Sequence, residues 1–147
     1  MKIINIVGYK NSGKTTLCCE IIKRIKNQNI LYIKHSHHMP DKMLITDTKK
    51  AIISGAKSAI FINDCLYYKI EGKNKKMMRL NKKTIYEILE ESKDYDFIVI
   101  EGYKNLDFPK VVITDKKLKL KNIVFVVRSM DILKKNLILK IIKKLFS

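Results

Sequence analysis

Gly8-Tyr9-Lys10-Asn11-Ser12-Gly13-Lys14-Thr15-Thr16 has the residue types and spacing that hold phosphate: a glycine, four free positions, then Gly-Lys-Thr. Gly8 and Gly13 allow backbone dihedrals closed to other residues, so that successive N–H groups can converge on phosphate oxygens. Lys14 would reach the outer phosphates as a point charge, Thr15 would offer its hydroxyl to a magnesium ion, and a helix starting near Lys14 would add the positive end of its dipole. A Gly-Ser turn that happens to precede a helix is the plainer alternative. The apolar run from Ile3 to Val7 ahead of the loop, and the helical pattern behind it, favour the phosphate loop, because the motif works only between a strand and a helix.

A second stretch completes that chemistry. Phe97-Ile98-Val99-Ile100 reads as a buried central strand, and Glu101 follows at its carboxyl end, where an acid could hold the water shell of magnesium opposite Thr15. Phosphoryl-transfer sites pair a phosphate loop with a strand-end acid in this way. A third stretch, His35-Ser36-His37-His38, follows the apolar run Ile30 to Lys34. In open parallel sheets, ligands sit beyond the carboxyl ends of strands, which puts these imidazoles on the rim that carries the loop. They could bind metal, neutralise a phosphate or donate hydrogen bonds, or form an ordinary polar loop. No further ligands at zinc spacing are evident, so a dedicated zinc site is not expected.

The elements that must position these residues follow from apolar spacing. Leu17, Ile21 and Ile25 mark one face of the helix after the loop. A second helix is expected from Asp47 through Ala51 and Ile52 to Gly55, with Asp47 or Thr46 as its cap and the glycine as its stop. Ser58 to Asn63 predicts a strand, and Leu66 to Ile70 with Met77 to Leu80 predicts a hairpin around Glu71-Gly72-Lys73-Asn74. Asn81 is the expected cap of a helix buried through Ile85, Ile88 and Leu89. Pro109 to Thr114 and Ile123 to Val127 supply two more strands. Asp131 to Phe146 predicts a final helix packed through Leu133, Leu137, Ile138, Ile141, Ile142 and Leu145. Strands alternating with helices specify an α/β fold with a mostly parallel central sheet and helices on both faces, the three-layer fold of P-loop NTPases.

Composition bounds the rest. At 147 residues and 46% hydrophobic, the chain is expected to form a single nucleotide-binding domain over 1–147 with a substantial core. It shows no run of membrane-spanning length and no signal-peptide pattern, so a soluble, cytoplasmic protein is expected. Cys18, Cys19 and Cys65 have no metal or redox spacing and read as reduced core thiols. The formal charge of +17 invites a nucleic-acid reading. However, only Arg24, Arg79 and Arg128 are arginines, and the lysines are scattered without interleaved aromatics, so nucleic acid is not the expected partner.

Together these stretches resemble one family, the MobB-type molybdopterin-guanine dinucleotide biosynthesis adapter proteins. The resemblance rests on Val7-Gly8-Tyr9 with Ser12 to Thr16, on Ile33 to His38, on Asp47-Thr48 ahead of Gly55-Ala56, and on Ile100-Glu101-Gly102-Tyr103-Lys104 followed by Leu106 and Phe108-Pro109-Lys110. It implies a homodimeric GTP-binding accessory protein, at most a weak magnesium-dependent GTPase, that works with a MobA-type molybdopterin guanylyltransferase, with molybdopterin itself as a further candidate partner. Carried over residue by residue, Gly8 to Thr16 form the nucleotide loop, Thr15, Asp47 and Glu101 the magnesium side, and His35, His37, His38 and Lys104 the pocket. The segment between His38 and Asp47, and Lys49-Lys50, depart from the family pattern. The Asn-Lys-x-Asp guanine motif of many GTPases is also missing. Asp131 stands at a similar late position, as a guanine reader or as a helix cap. The competing reading is a small-molecule kinase or a dethiobiotin-synthetase-like ATP-dependent enzyme. Kinases of this size need several arginines on the transferred phosphate, and this chain has few.

Overall fold

The computed structural model describes residues 1–37, 42–64, 67–72, 76–80 and 83–147, and of 42–45 and 76–80 the backbone alone. His38, Cys65 and the expected cap Asn81 lie outside the described residues. The strands are β1 (Lys2–Gly8), β2 (Ile30–His35), β3 (Ser58–Ile62), β4 (Tyr67–Glu71), β5 (Lys76–Leu80), β6 (Phe97–Glu101), β7 (Lys110–Ile113) and β8 (Ile123–Val127). The helices are α1 (Lys14–Arg24), α2 (Lys42–Ser54), α3 (Ile85–Glu91) and α4 (Lys135–Phe146).

The strands form one sheet in the order β5-β4-β3-β2-β6-β1-β7-β8. From β3 to β8 every pairing is parallel, and the β4–β5 hairpin closes one edge antiparallel. The chain leaves β1 toward β2 and β3 on one side, then returns through β6 to β7 and β8 on the other. The carboxyl end of β1 is therefore at the switch point where such sheets bind ligands.

Near-continuous apolar runs make these strands because both faces are covered. On one face Ile4, Ile6, Ile30, Tyr32, Val99 and Val111 pack against Leu17, Ile21 and Ile22 of α1, Ala51 of α2, and Ile138 and Ile141 of α4. On the other, Leu31, Ile33, Ile60, Ile98 and Ile100 pack against Ile85, Ile88 and Leu89 of α3. Neighbouring residues on one strand thus serve opposite layers, as the two-residue period of a strand requires. This is the expected three-layer α/β arrangement with a mostly parallel sheet.

Several boundaries differ from expectation. Helix α2 begins at Lys42, so Asp47 sits within the helix and caps nothing. Its carboxylate is engaged by Lys34 rather than by the amides of a helix start. Helix α3 is capped by Thr84 in a reciprocal capping box with Glu87. At the C-terminal end, Ser129–Asp131 forms a 3-10 turn, and α4 starts only at Lys135 with no side-chain cap. Asp131 is therefore not the cap of α4; it pairs with Lys134 at 2.6 Å. Leu133, left ahead of the helix, is 76% exposed rather than packed.

Candidate functional site

The loop between β1 and α1 is shaped by two left-handed residues, Asn11 at φ 59° and Gly13 at φ 95°. The positive φ favours glycine at position 13, and a side chain there would also have to displace the tip of Ile132, whose Cδ1 stands 2.3 Å from where a Cβ would be. Gly8 lies close to the next strand, where a Cβ would come within 2.8 Å of the Ile113 carbonyl and 2.7 Å of Ser12 Oγ. Leu17 donates to the Gly13 carbonyl at 3.0 Å, so the amides of Lys14, Thr15 and Thr16 precede the helical ladder. The first turn of α1 carries neither an acidic residue nor a side-chain cap. An anion at this helix start therefore meets free donors and a favourable dipole.

Lys14 folds back over the loop, donating to the carbonyls of Gly8 at 3.0 Å and Tyr9 at 2.7 Å. Burial lowers its pKa, the Glu101 carboxylate pulls it back up, and the charge of Lys34 lowers it further. Ser12 Oγ is buried without a partner. Tyr9, Lys10, Asn11 and Thr16 are exposed at the loop mouth.

Glu101 is the hub of the neighbouring polar cluster. Thr15 Oγ1 lies 3.0 Å from both of its carboxylate oxygens. Tyr32, fully buried, donates its hydroxyl to Glu101 Oε2. Burial, followed by the Glu101 charge, pushes the Tyr32 hydroxyl well above its ordinary pKa, so it stays a donor. Lys34, whose register partner across β2 and β6 is Glu101, donates to Glu101 Oε1 at 2.9 Å and to Asp47 Oδ2 at 2.5 Å. Asp47 reaches inward from α2 to this lysine. Thr15, Asp47 and Glu101, named from sequence as one group, thus come together around Lys34.

His35 is one residue beyond Lys34 and turns to the opposite face of the sheet. It stacks on Tyr103 with ring centroids 3.8 Å apart, and His37 meets it edge-on at 4.7 Å. Burial, together with the charge of His37, lowers its pKa, and Asp64 acts against them. Lys104 is exposed in the turn after Tyr103.

The profile of the MobB family, described as molybdopterin guanine dinucleotide synthesis protein B, matches residues 3–141. The chain belongs to the MobB family. A Methanocaldococcus jannaschii protein named as a molybdopterin-guanine dinucleotide biosynthesis adapter protein is 34% identical over 125 residues, covering 80% of this chain and 49% of the relative. A Bacillus subtilis protein with the same name is 30% identical over 120 residues, covering 78% of this chain and 66% of the relative. The chain therefore spans about half of one relative and about two thirds of the other. Its fold is that of the solved MobB structures. The Bacillus subtilis MobB crystal structure superposes with a TM-score of 0.58 at 19% identity, and a homologue from Bacillus stearothermophilus with 0.55 at 19%, each pairing 99% of this chain with 98% of the other.

Four polar residues of this site receive no role from the sequence motifs, although Lys34 falls within the Ile33 to His38 stretch. Lys34 and Tyr32 look like members of an apolar strand, and Asp64 like part of a turn. Asn5 is buried in β1 and donates to the Gly102 carbonyl at 2.7 Å, tying the start of the Glu101 loop to the strand that leads into the phosphate loop. Polar residues inside otherwise apolar strands were the available signal for three of them. Each had to find a buried partner, and the partners are remote in sequence.

Proposed function

We propose that this chain binds GTP and magnesium as an accessory protein of molybdopterin guanine dinucleotide formation, acting as a homodimer with a MobA-type molybdopterin guanylyltransferase. The observation that carries the nucleotide reading is the contact of Thr15 Oγ1 with both Glu101 oxygens at 3.0 Å, beside a loop whose lysine already spans the Gly8 and Tyr9 carbonyls. It joins the phosphate loop to a strand-end acid. Gly8 to Thr16 hold the phosphates, with Lys14 on the outer ones. Thr15, Glu101 and Asp47 offer an all-oxygen donor set of the kind magnesium takes, partly through its own waters. Magnesium would supply charge neutralisation at the phosphates. His35, His37 and Lys104 stand on the adjoining rim, and with His38, assigned from the family pattern, they are the residues a pterin substrate or the transferase would meet.

Accessory function fits the site better than rapid turnover. Both carboxylates are engaged by Lys34, and Arg24 lies in the last turn of α1, at the end away from the loop. Hydrolysis is accordingly weak. Family membership supports guanine preference and the partner, and the names of the relatives support the pathway.

Equilibrium binding of GTP and ATP with magnesium tests the reading. Wild type should bind GTP more tightly than ATP and should gain about 2.7 kcal/mol of stability at a hundredfold excess of GTP over Kd. Lys14→Ala should lose both binding and stabilisation. Equal failure of wild type and Lys14→Ala to bind either nucleotide would refute the phosphate loop, and a strong ATP preference would refute the GTP assignment. Co-purification with a molybdopterin guanylyltransferase at low salt tests the partner.

A further inference from the structure

His35, His37 and Asp64 come from the ends of β2 and β3, adjacent parallel strands in which His35 pairs with Ile62. Their candidate ligand atoms, one from each residue, all lie within 4.8 Å of one another. Three donors around one tetrahedral zinc stand about 3.4 Å apart, so a modest inward turn of each side chain would close the set. The side chains with room to turn are the right ones for that closure. His37 and Asp64 are exposed, whereas His35 is half-buried and held.

What holds His35 is specific. Gly102, at φ 95°, passes so close that a Cβ there would come within 2.9 Å of the His35 carbonyl and 3.3 Å of its Cβ. Tyr103 follows at φ 52°, a conformation uncommon for a tyrosine, and its ring lies on the His35 imidazole at an angle of 21°. One imidazole is thus fixed in orientation, a second stands edge-on to it, and a carboxylate completes a facing triangle.

We propose that His35, His37 and Asp64 bind one divalent transition-metal ion of the zinc type, at a site distinct from the magnesium position beside Thr15. Two imidazoles and one carboxylate suit zinc, cobalt or nickel and disfavour magnesium, which takes oxygen donors. The strand period separates the two sites, because Lys34 and Glu101 face α1 and α2 while His35 turns to the layer containing Tyr103. Three protein ligands leave an open position, as in catalytic rather than structural zinc sites. Two neutral imidazoles and one carboxylate leave a bound divalent ion with a net charge of about +1, so the open position favours water or an anionic group. The proposal does not depend on the nucleotide assignment.

The test uses the full chain freed of metal by chelation. Zinc is titrated against a chromophoric indicator, and cobalt is followed by its visible absorption. Wild type and Lys14→Ala should each take up one ion per chain with equal affinity. His37→Ala and Asp64→Ala, both at exposed positions, should each weaken zinc binding by at least about tenfold while their metal-free thermal unfolding stays at the wild-type temperature. Absence of uptake at micromolar zinc, unchanged affinity in either variant, or a thiolate-to-cobalt charge-transfer band would overturn the assignment.

Discussion

Lys34 lies between two carboxylates, and without it Glu101, at 2% side-chain exposure, would face Asp47 with like charge. Removing one member of a buried ion pair strands the other, at a cost of roughly 3–5 kcal/mol. We therefore expect Lys34→Met, with neither nucleotide nor metal present, to lower the unfolding free energy by about 3 kcal/mol in urea titrations at neutral pH. The double variant Lys34→Met/Glu101→Gln should regain part of that loss, since the stranded charge is gone. A single variant unfolding at the wild-type urea midpoint would show that the pair carries no net stabilisation. The pH dependence has a definite sign. Burial alone lowers the Lys34 pKa, but the Glu101 charge and the hydrogen bonds to Asp47 and Glu101 outweigh it and hold the value above 10.5. A raised native pKa means that the contribution is complete below pH 10.5 and fades as pH climbs through the native value. The gap between wild type and Lys34→Met should stand at neutral pH and narrow in the alkaline range.

At the scale of elements, the shortest helix depends most on its ends. Helix α3 has seven residues, too few for a stable helix on propensity alone, and is held by three buried residues and its cap. Thr84 Oγ1 accepts from the Glu87 amide at 3.2 Å, and the Glu87 carboxylate accepts from the Thr84 amide at 2.6 Å. That bond, with the matching side-chain one, lowers the Glu87 pKa. Thr84→Ala should destabilise the protein by about 1 kcal/mol, and Thr84→Ser by much less. An unchanged midpoint for Thr84→Ala would mean that packing alone sets this helix. The same element shows how far the sequence could be read. The stripe of Ile85, Ile88 and Leu89 was legible because burial imposes a period, whereas the choice between Asn81 and Thr84 as cap was not, since both residue types cap well. Likewise the loop, β1 and β6 were plain from spacing, and with them Thr15 and Glu101. Lys34 was not, because a lysine at a strand end looks solvated until its partners, 13 and 67 residues away, are in place. Asp47 was visible as a polar residue near a helix, but its position inside α2 was not, since an aspartate that caps well can equally sit within a helix when a cation such as Lys34 meets it there.

For the whole molecule, the dominant unbalanced force is charge. There are 31 basic residues and 14 acidic ones, so one-to-one pairing leaves 17 cations without an acidic partner. Exposed pairs such as Lys83 with Glu91 at 2.5 Å contribute little, about 0–1 kcal/mol each, and salt weakens them. Repulsion among the surplus cations acts in the other direction. At 0.01 M ionic strength the screening length, about 30 Å, is comparable to the size of a domain this long, so most lysines feel one another across the molecule; at 0.15 M it shrinks to about 8 Å. Screening the surplus should outweigh screening the pairs. Thermal unfolding should therefore move to higher temperature as potassium chloride rises from 0.01 to about 0.3 M, because self-repulsion destabilises a compact state far from neutrality. A local origin would look different. If the gain came from an anion seated in the phosphate loop, sulfate or phosphate would produce it at far lower concentration than chloride, and Lys14→Ala would lose it. A gain of equal size in Lys14→Ala with potassium chloride identifies the distributed surplus as its source, and a fall in unfolding temperature with salt would show that the surface pairs outweigh the repulsion.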